Sequence, residues 1–348
     1  TITLKTGAIH VGIPLGQRTD YITDVISRGK RKFFSLLGLG SLTGGLSPLT
    51  ASRLYTTYSL NTMLYGCAVI QYTPQEVERL EIVHREIGRR VQNLPKGSAN
   101  PIATTPLGLS KISRKIDIYR LMFFWGILSL PMSNIYKCVA IHRLVQIMNG
   151  VGHSMSPLVS MWNTVVRYNM RGSVVKMLGT AQYGSKFSWS KKVKMIVGNS
   201  DLQSLRIMCS LYSSLKWYCE SLTTTPTLCP TIWWKICQEF PMMKKSCQLM
   251  LHLQTGCFRF SESMCPCCNS CYDTIEHFML HCEALADVRR PLAIFFNEMH
   301  LMSNDQKMRM SLGIQVSIDD IDTLVFISGI VTQMYTKRNS LISYNGIY

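Results

Sequence analysis

Residues 73–94 read TPQEVERLEIVHREIGRRVQNL, and this stretch sets the expectation for the whole chain. Thr73, Pro74, Gln75 and Glu76 form a capping box with proline at the first helical position, where its missing N–H costs nothing. Val77, Leu80, Val83, Ile87, Val91 and Leu94 then recur every three or four residues, which predicts an amphipathic helix. Its opposite face carries Arg79, Arg85, Arg89 and Arg90.

The same periodicity extends in both directions. Upstream, Tyr21, Val25, Ile26, Phe33 and Leu37 predict a helix over 21–37, with Arg28, Lys30, Arg31 and Lys32 on its remaining surface. Residues 38–45 (GLGSLTGG) read as a break, after which Ser47-Pro48 can cap a helix running towards Tyr65. Downstream, 95–106 interrupts the pattern and a helix over 113–130 is stopped by Pro131. Further helices follow to about 250, separated by breaks at 150–152, 179–184 and 223–230. Only residues 6–16, with β-branched residues between glycines and a proline, read as a short strand or hairpin. The predicted fold is therefore mainly α, with a short N-terminal β hairpin, long helical regions and a small C-terminal metal-binding module. Four segments are expected: 1–17, 18–132, 133–250 and 251–348.

Composition narrows the partners. The chain has 348 residues, 47% of them hydrophobic, enough for a sizeable core. Its net charge of +17 favours polyanions through counterion release, so RNA or DNA is the first candidate partner. The charge is uneven. Residues 1–130 hold 16 basic and 7 acidic side chains, 131–260 hold 15 and 3, and 261–348 hold 6 and 10. A phosphate grip is thus expected from the first 260 residues. Lys186, Lys191, Lys192 and Lys194 interleave with Phe187 and Trp189, a pattern that reads equally as a surface for single strands and as a buried aromatic pair beside solvated lysines.

The first residues lack the basic and apolar regions of a signal peptide, and the absence of a start Met makes the chain read as truncated. Thirteen cysteines then fit a reducing compartment, cytosolic or nuclear, as buried thiols or metal ligands. The longest apolar run, Leu121 to Pro131, is about half of a membrane span and reads as a core helix, so no membrane partner is expected.

Residues 265–282 read CPCCNSCYDTIEHFMLHC, giving Cys265-x2-Cys268-x8-His277-x4-Cys282. A Cys-x2-Cys knuckle turns both sulfurs to one point, and a histidine and cysteine nearby on a helix can complete a tetrahedron around zinc. Four protein ligands leave no open position, so the expected site is structural. Cys267, Cys271 and His281 stand within the same stretch and remain alternative ligands.

Around this segment the chain resembles the C-terminal region of non-LTR (LINE-type) retrotransposon reverse transcriptases. The resemblance rests on Cys265-Pro266 with Cys268, on Glu276 to Cys282 (EHFMLHC) and on Ala284 to Arg290 (ALADVRR). It is supported by His10 to Gly16 (HVGIPLG), Leu64 to Gly66, Leu80-Glu81, Leu107 to Leu109 and Leu251 to Gly256 (LHLQTG). It implies that 1–17 is the edge of a polymerase palm, 18–132 a thumb-like helical region, 133–250 a helical connector and 251–348 the Cys-Cys-His-Cys zinc module with C-terminal helices. It also implies that the basic helices lie along template and primer phosphates, with Lys30, Arg31, Lys32, Arg85, Arg89 and Arg90 as contacts. This sequence departs from the family's pattern in a short span between Gly256 and Cys265, in Cys267 between the knuckle cysteines, and in having no palm before residue 1.

Polymerase chemistry needs carboxylates from separated motifs to hold two metal ions. The lone Asp-Asp, Asp319-Asp320, lacks a preceding aromatic and an upstream acidic partner, and Asp322 beside it reads as a helix start. The chain as given is therefore expected to be non-catalytic, its parent polypeptide an RNA-directed DNA polymerase. The second reading is a zinc-stabilised helical protein-interaction module.

Overall fold

The computed structural model of the chain describes residues 7–16, 21–36, 38, 40, 45–151, 156–301, 303–314 and 321–344. Helices dominate, and a Cys/His cluster lies near the C-terminus. Asp319 and Asp320 and most of the 38–45 break lie outside the described residues. The chain divides into two compact units built from interleaved stretches: Thr1–Gly38, Arg53–Ile87 and Ser110–Ser204 in the first, Leu39–Ser52, Gly88–Leu109 and Leu205–Tyr348 in the second.

In the first unit, β1 (Gly7–His10) and β2 (Ile13–Gly16) pair antiparallel, Gly7 opposite Gly16 and His10 opposite Ile13. Both residues of the connecting turn, Val11 and Gly12, have positive φ, the conformation that matches the twist of a two-residue hairpin. Helix α1 (Tyr21–Phe34) buries Tyr21, Ile22, Val25, Gly29 and Phe33. Helix α2 (Pro48–Leu54) continues as a π-helical segment, Tyr55–Leu60, into the short α3 (Asn61–Met63). Gly29 lets α1 approach this segment: Ser59 Oγ donates to the Gly29 carbonyl at 2.7 Å, and a Cβ at Gly29 would collide with Met63 Cγ. Gly29→Ala is accordingly expected to cost about 1–3 kcal/mol through overpacking, read from the denaturant midpoint.

Helix α4 (Pro74–Gln92) opens on the predicted capping box: Thr73 N–H donates to Glu76 Oε2 at 2.7 Å and Glu76 N–H to Thr73 Oγ1 at 3.2 Å. It buries His84 completely. The Ser110 carbonyl, 3.1 Å from Nε2, can only accept, so Nε2 carries the proton and Nδ1 accepts from the Tyr55 hydroxyl at 2.8 Å. Burial, with Lys115 adding, pushes the His84 imidazole down to about 3 from 6.5. In acid the unfolded chain therefore takes up a proton at this histidine that the folded chain refuses. Stability is expected to fall from about pH 6.5 towards pH 3 by up to roughly 1 kcal/mol per pH unit, with His84→Gln removing this component from a urea titration against pH.

Helices α5 (Ile112–Leu128), α6 (Ile135–Met148), α7 (Pro157–Arg167), α8 (Arg171–Thr180) and α9 (Lys186–Ser210) complete the described helices of this half of the chain. Leu121, Phe124 and Leu128 of α5 bury against Leu144, Met161, Trp162, Val165, Val174 and Val193, so one face of the apolar run lies in the core while Phe123 on the other is exposed. No described helix is long and apolar enough to cross a membrane. Trp189 is buried and donates from Nε1 to the Leu121 carbonyl at 3.0 Å, whereas Phe187 is exposed. The two rings thus form no joint surface.

The second unit contains α10 (Lys216–Thr223), α11 (Ile232–Glu239), α12 (Lys244–Gln254), α13 (Ala286–Glu298), α14 (Asn304–Ser311) and α15 (Ile321–Tyr344). Trp233 and Trp234 of α11 are fully buried, and Trp234 Nε1 donates to Gln92 Oε1 at 3.0 Å. Helices α12, α13 and α14 all pack on α15, which carries Leu324, Ile327, Val331 and Met334 into the core. The long C-terminal helix is therefore the spine against which the Cys/His segment is placed.

Candidate metal centre

Between α12 and α13 the chain makes a knuckle with few helical residues. Met264 and Tyr272 form an isolated antiparallel bridge, Cys265 N–H donates to the Cys271 carbonyl at 2.7 Å, and Asn269 N–H returns to the Cys265 carbonyl at 2.9 Å. Asn269 has φ 56°, a left-handed conformation that asparagine accepts more readily than most residues. This turn brings the sulfurs of Cys265 and Cys268 to the same side. The Thr274 hydroxyl accepts from His277 N–H at 3.1 Å and starts the turn that carries the other two residues.

That turn, His277–His281, is π-helical, and Cys282 N–H donates to the His277 carbonyl at 2.8 Å. In an α-helix, residues five apart lie about 140° away from each other around the axis and cannot share a ligand. The wider π turn brings residue i+5 back towards residue i. His277 and Cys282 thereby face one point.

All four candidate ligand atoms lie within 4.8 Å of one another. The Cys265 and Cys282 sulfurs are 3.9 Å apart and Cys268 Sγ is 3.3 Å from His277 Nε2. A tetrahedron with metal–sulfur bonds of about 2.3 Å has sulfur–sulfur edges of about 3.8 Å, so the spacing suits a metal and not a disulfide. The four residues can hold one metal ion in a closed site. Among the described residues no other group of three or more His, Cys, Asp or Glu side chains is so arranged.

The three alternative ligands lie outside this group. Cys267 Sγ faces the Arg338 carbonyl at 3.9 Å, Cys271 is exposed, and His281 Nε2 lies 3.1 Å from Asn304 Nδ2 and 3.7 Å from Glu276 Oε1. Burial, joined by repulsion from Cys265 and Cys268, pushes the Cys282 thiol up to about 12. The Cys268 thiol is lowered, because hydrogen bonds from the Ser270 N–H and from Cys265 and Cys282 outweigh its burial. Burial lowers the His277 imidazole and keeps it neutral, the form that binds a metal. A divalent cation stabilises the thiolates that crowding otherwise opposes.

Beneath the cluster lies a buried ion pair. Arg338 of α15 donates from Nη1 and Nη2 to the two Asp273 oxygens at 2.9 and 2.6 Å, and its Nη1 approaches Cys265 Sγ at 3.8 Å. Asp273 also accepts from Ser261 N–H at 2.6 Å. Phe260 and Phe278 flank the guanidinium at 5.8 and 5.9 Å. Arg289 donates to the Cys282 carbonyl at 3.0 Å. These supports link the knuckle to the C-terminal helices, and no spacing signal in the sequence connects Asp273 with Arg338.

The predicted nucleic-acid contacts are distributed as follows. Lys30 pairs with Glu86 at 2.7 Å, Arg85 with Glu78 at 2.6 Å, and Arg89 donates to Ser98 and Asn100. Lys32 is exposed with its ammonium 2.9 Å from the neutral Thr62 hydroxyl, and Arg31 and Arg90 are exposed. Comparison with known protein families, curated proteins and solved structures finds no match for this chain. Fold and site together define a mainly helical protein with a closed Cys3His cluster that could hold a metal ion.

Proposed function

We propose that this chain is a nucleic-acid-binding, zinc-stabilised C-terminal part of a non-LTR retrotransposon reverse transcriptase that supplies binding and architecture, not polymerase chemistry. The observation that carries the proposal is the convergence of Cys265, Cys268, His277 and Cys282, the four positions picked out by the resemblance, with Cys267, Cys271 and His281 outside the group. The thiolate-rich donor set favours zinc. The excess of basic residues before residue 260 supports phosphate binding. Because Lys30, Lys32, Arg85 and Arg89 already engage partners within the protein, the exposed Arg31 is expected to carry the largest share.

Binding of an RNA–DNA hybrid tests this reading. Three phosphate contacts predict about a 40-fold loss of affinity between 50 and 200 mM salt, and six predict about an 1,800-fold loss. Charge reversal at Arg31, Lys32 and Arg90 is expected to flatten that dependence. Binding indifferent to salt and to these substitutions would instead favour the zinc-stabilised interaction module, a reading supported by the internal engagement of Lys30, Lys32, Arg85 and Arg89.

A further inference from the structure

We propose that a groove on the first unit receives an acidic amphipathic helix from a partner protein. The groove has a volume of about 850 Å³ and lies among α5, α6 and α7. Its working surface is formed by Tyr119, Phe123, Ile127, Tyr136 and Val139 over the buried Met161, with Arg143 and Lys186 also lining it. Four of the apolar residues are solvent-exposed: Tyr136 at 73%, Val139 at 55%, Phe123 at 44% and Tyr119 at 43%. Apolar side chains concentrated in one open patch mark an interaction surface rather than ordinary surface scatter.

The form of the groove points to a helix. A small-molecule pocket encloses most of its ligand, whereas these walls keep much of their own surface in water. A helix presenting apolar residues at i, i+3, i+4 and i+7 fills such an open trough while leaving its polar face in solvent.

Charge selects the sign of that polar face. Between Asp117 and Asp201 the chain carries ten Lys or Arg residues and no carboxylate at all, and this interval supplies nearly all of the groove. No groove-lining residue is acidic. Arg143 and Lys186 are the charged residues that line it, so carboxylates flanking an apolar stripe meet cations and no like charge. A nucleic acid would satisfy the cations but would set its polar backbone and base edges against an aliphatic and aromatic trough. The proposal does not depend on the nucleic-acid reading above.

The test uses the full chain and a fluorescent 18-residue peptide with leucines at i, i+3, i+4 and i+7 and glutamates at the flanking positions. Saturable binding by anisotropy is expected, at least tenfold weaker for a peptide with lysines in place of the glutamates. Phe123→Glu and, separately, the more exposed Tyr136→Glu are expected to weaken binding at least tenfold with an unchanged circular dichroism spectrum. Arg143→Glu with Lys186→Glu is expected to reverse the preference between the two peptides. Equal binding of both peptides, indifference to both Phe123→Glu and Tyr136→Glu, preferential binding to anionic phospholipid vesicles, or self-association abolished by Tyr136→Glu would overturn the proposal.

Discussion

Chelation of the zinc-loaded protein is expected to release the segment from about 258 to 285 while α5 keeps its structure. Structural zinc in small modules contributes on the order of 10–16 kcal/mol of binding free energy that is recovered as folding. Here the knuckle has few other supports of comparable size. The Met264–Tyr272 bridge is isolated, and the other supports are ring contacts among Phe258, Phe260 and Phe278, the Arg338–Asp273 pair and single hydrogen bonds such as those from Arg289 and Asn304. Hydrogen exchange should therefore quicken by several orders of magnitude across 258–285 and stay near its original rate at Leu121 to Leu128. Uniform protection before and after chelation would mean that these contacts hold the knuckle without a metal.

Arg338→Met is expected to be the most damaging single substitution outside the four candidate ligands. Asp273 is fully enclosed at its side chain, and Arg338 is nearly so. Removing the cation leaves a buried carboxylate with only the Ser261 N–H as a donor, which costs about 3–5 kcal/mol. Its stem also fills space beside Phe260 and Phe278, which methionine partly replaces. The double substitution Arg338→Met with Asp273→Leu is expected to recover much of that loss, because no charge is then stranded. A double variant as unstable as Arg338→Met, measured by denaturant titration of the loaded protein, would show that the pair acts through packing instead.

The sequence was most informative where short-range chemistry decides local structure. The capping box at Thr73 and Glu76 formed as its spacing predicts, and the run from Leu121 to Leu128 became a helix that buries Leu121, Phe124 and Leu128 and leaves Phe123 exposed. The four candidate ligands were legible for the same reason, lying within eighteen residues. Their route together was not. A helix drawn with 3.6 residues per turn would have separated His277 from Cys282, and the π turn that unites them leaves no mark in the hydrophobic pattern. Asp273 and Arg338 meet across 65 positions and His84 meets Tyr55 across 29, distances over which periodicity carries no information. The charged faces were legible as composition only, since the pairing of Lys30 with Glu86 depends on two helices meeting.

The central claim is that Cys265, Cys268, His277 and Cys282 hold one zinc ion as a closed structural site. Metal analysis of the protein purified without added metal, with zinc quantified per chain, tests it most directly. One equivalent in the wild type and none in the Cys268→Ser, Cys282→Ser double variant is the predicted result. An unchanged single equivalent in that variant, or loss of the metal only on replacing Cys267, Cys271 or His281, would contradict it.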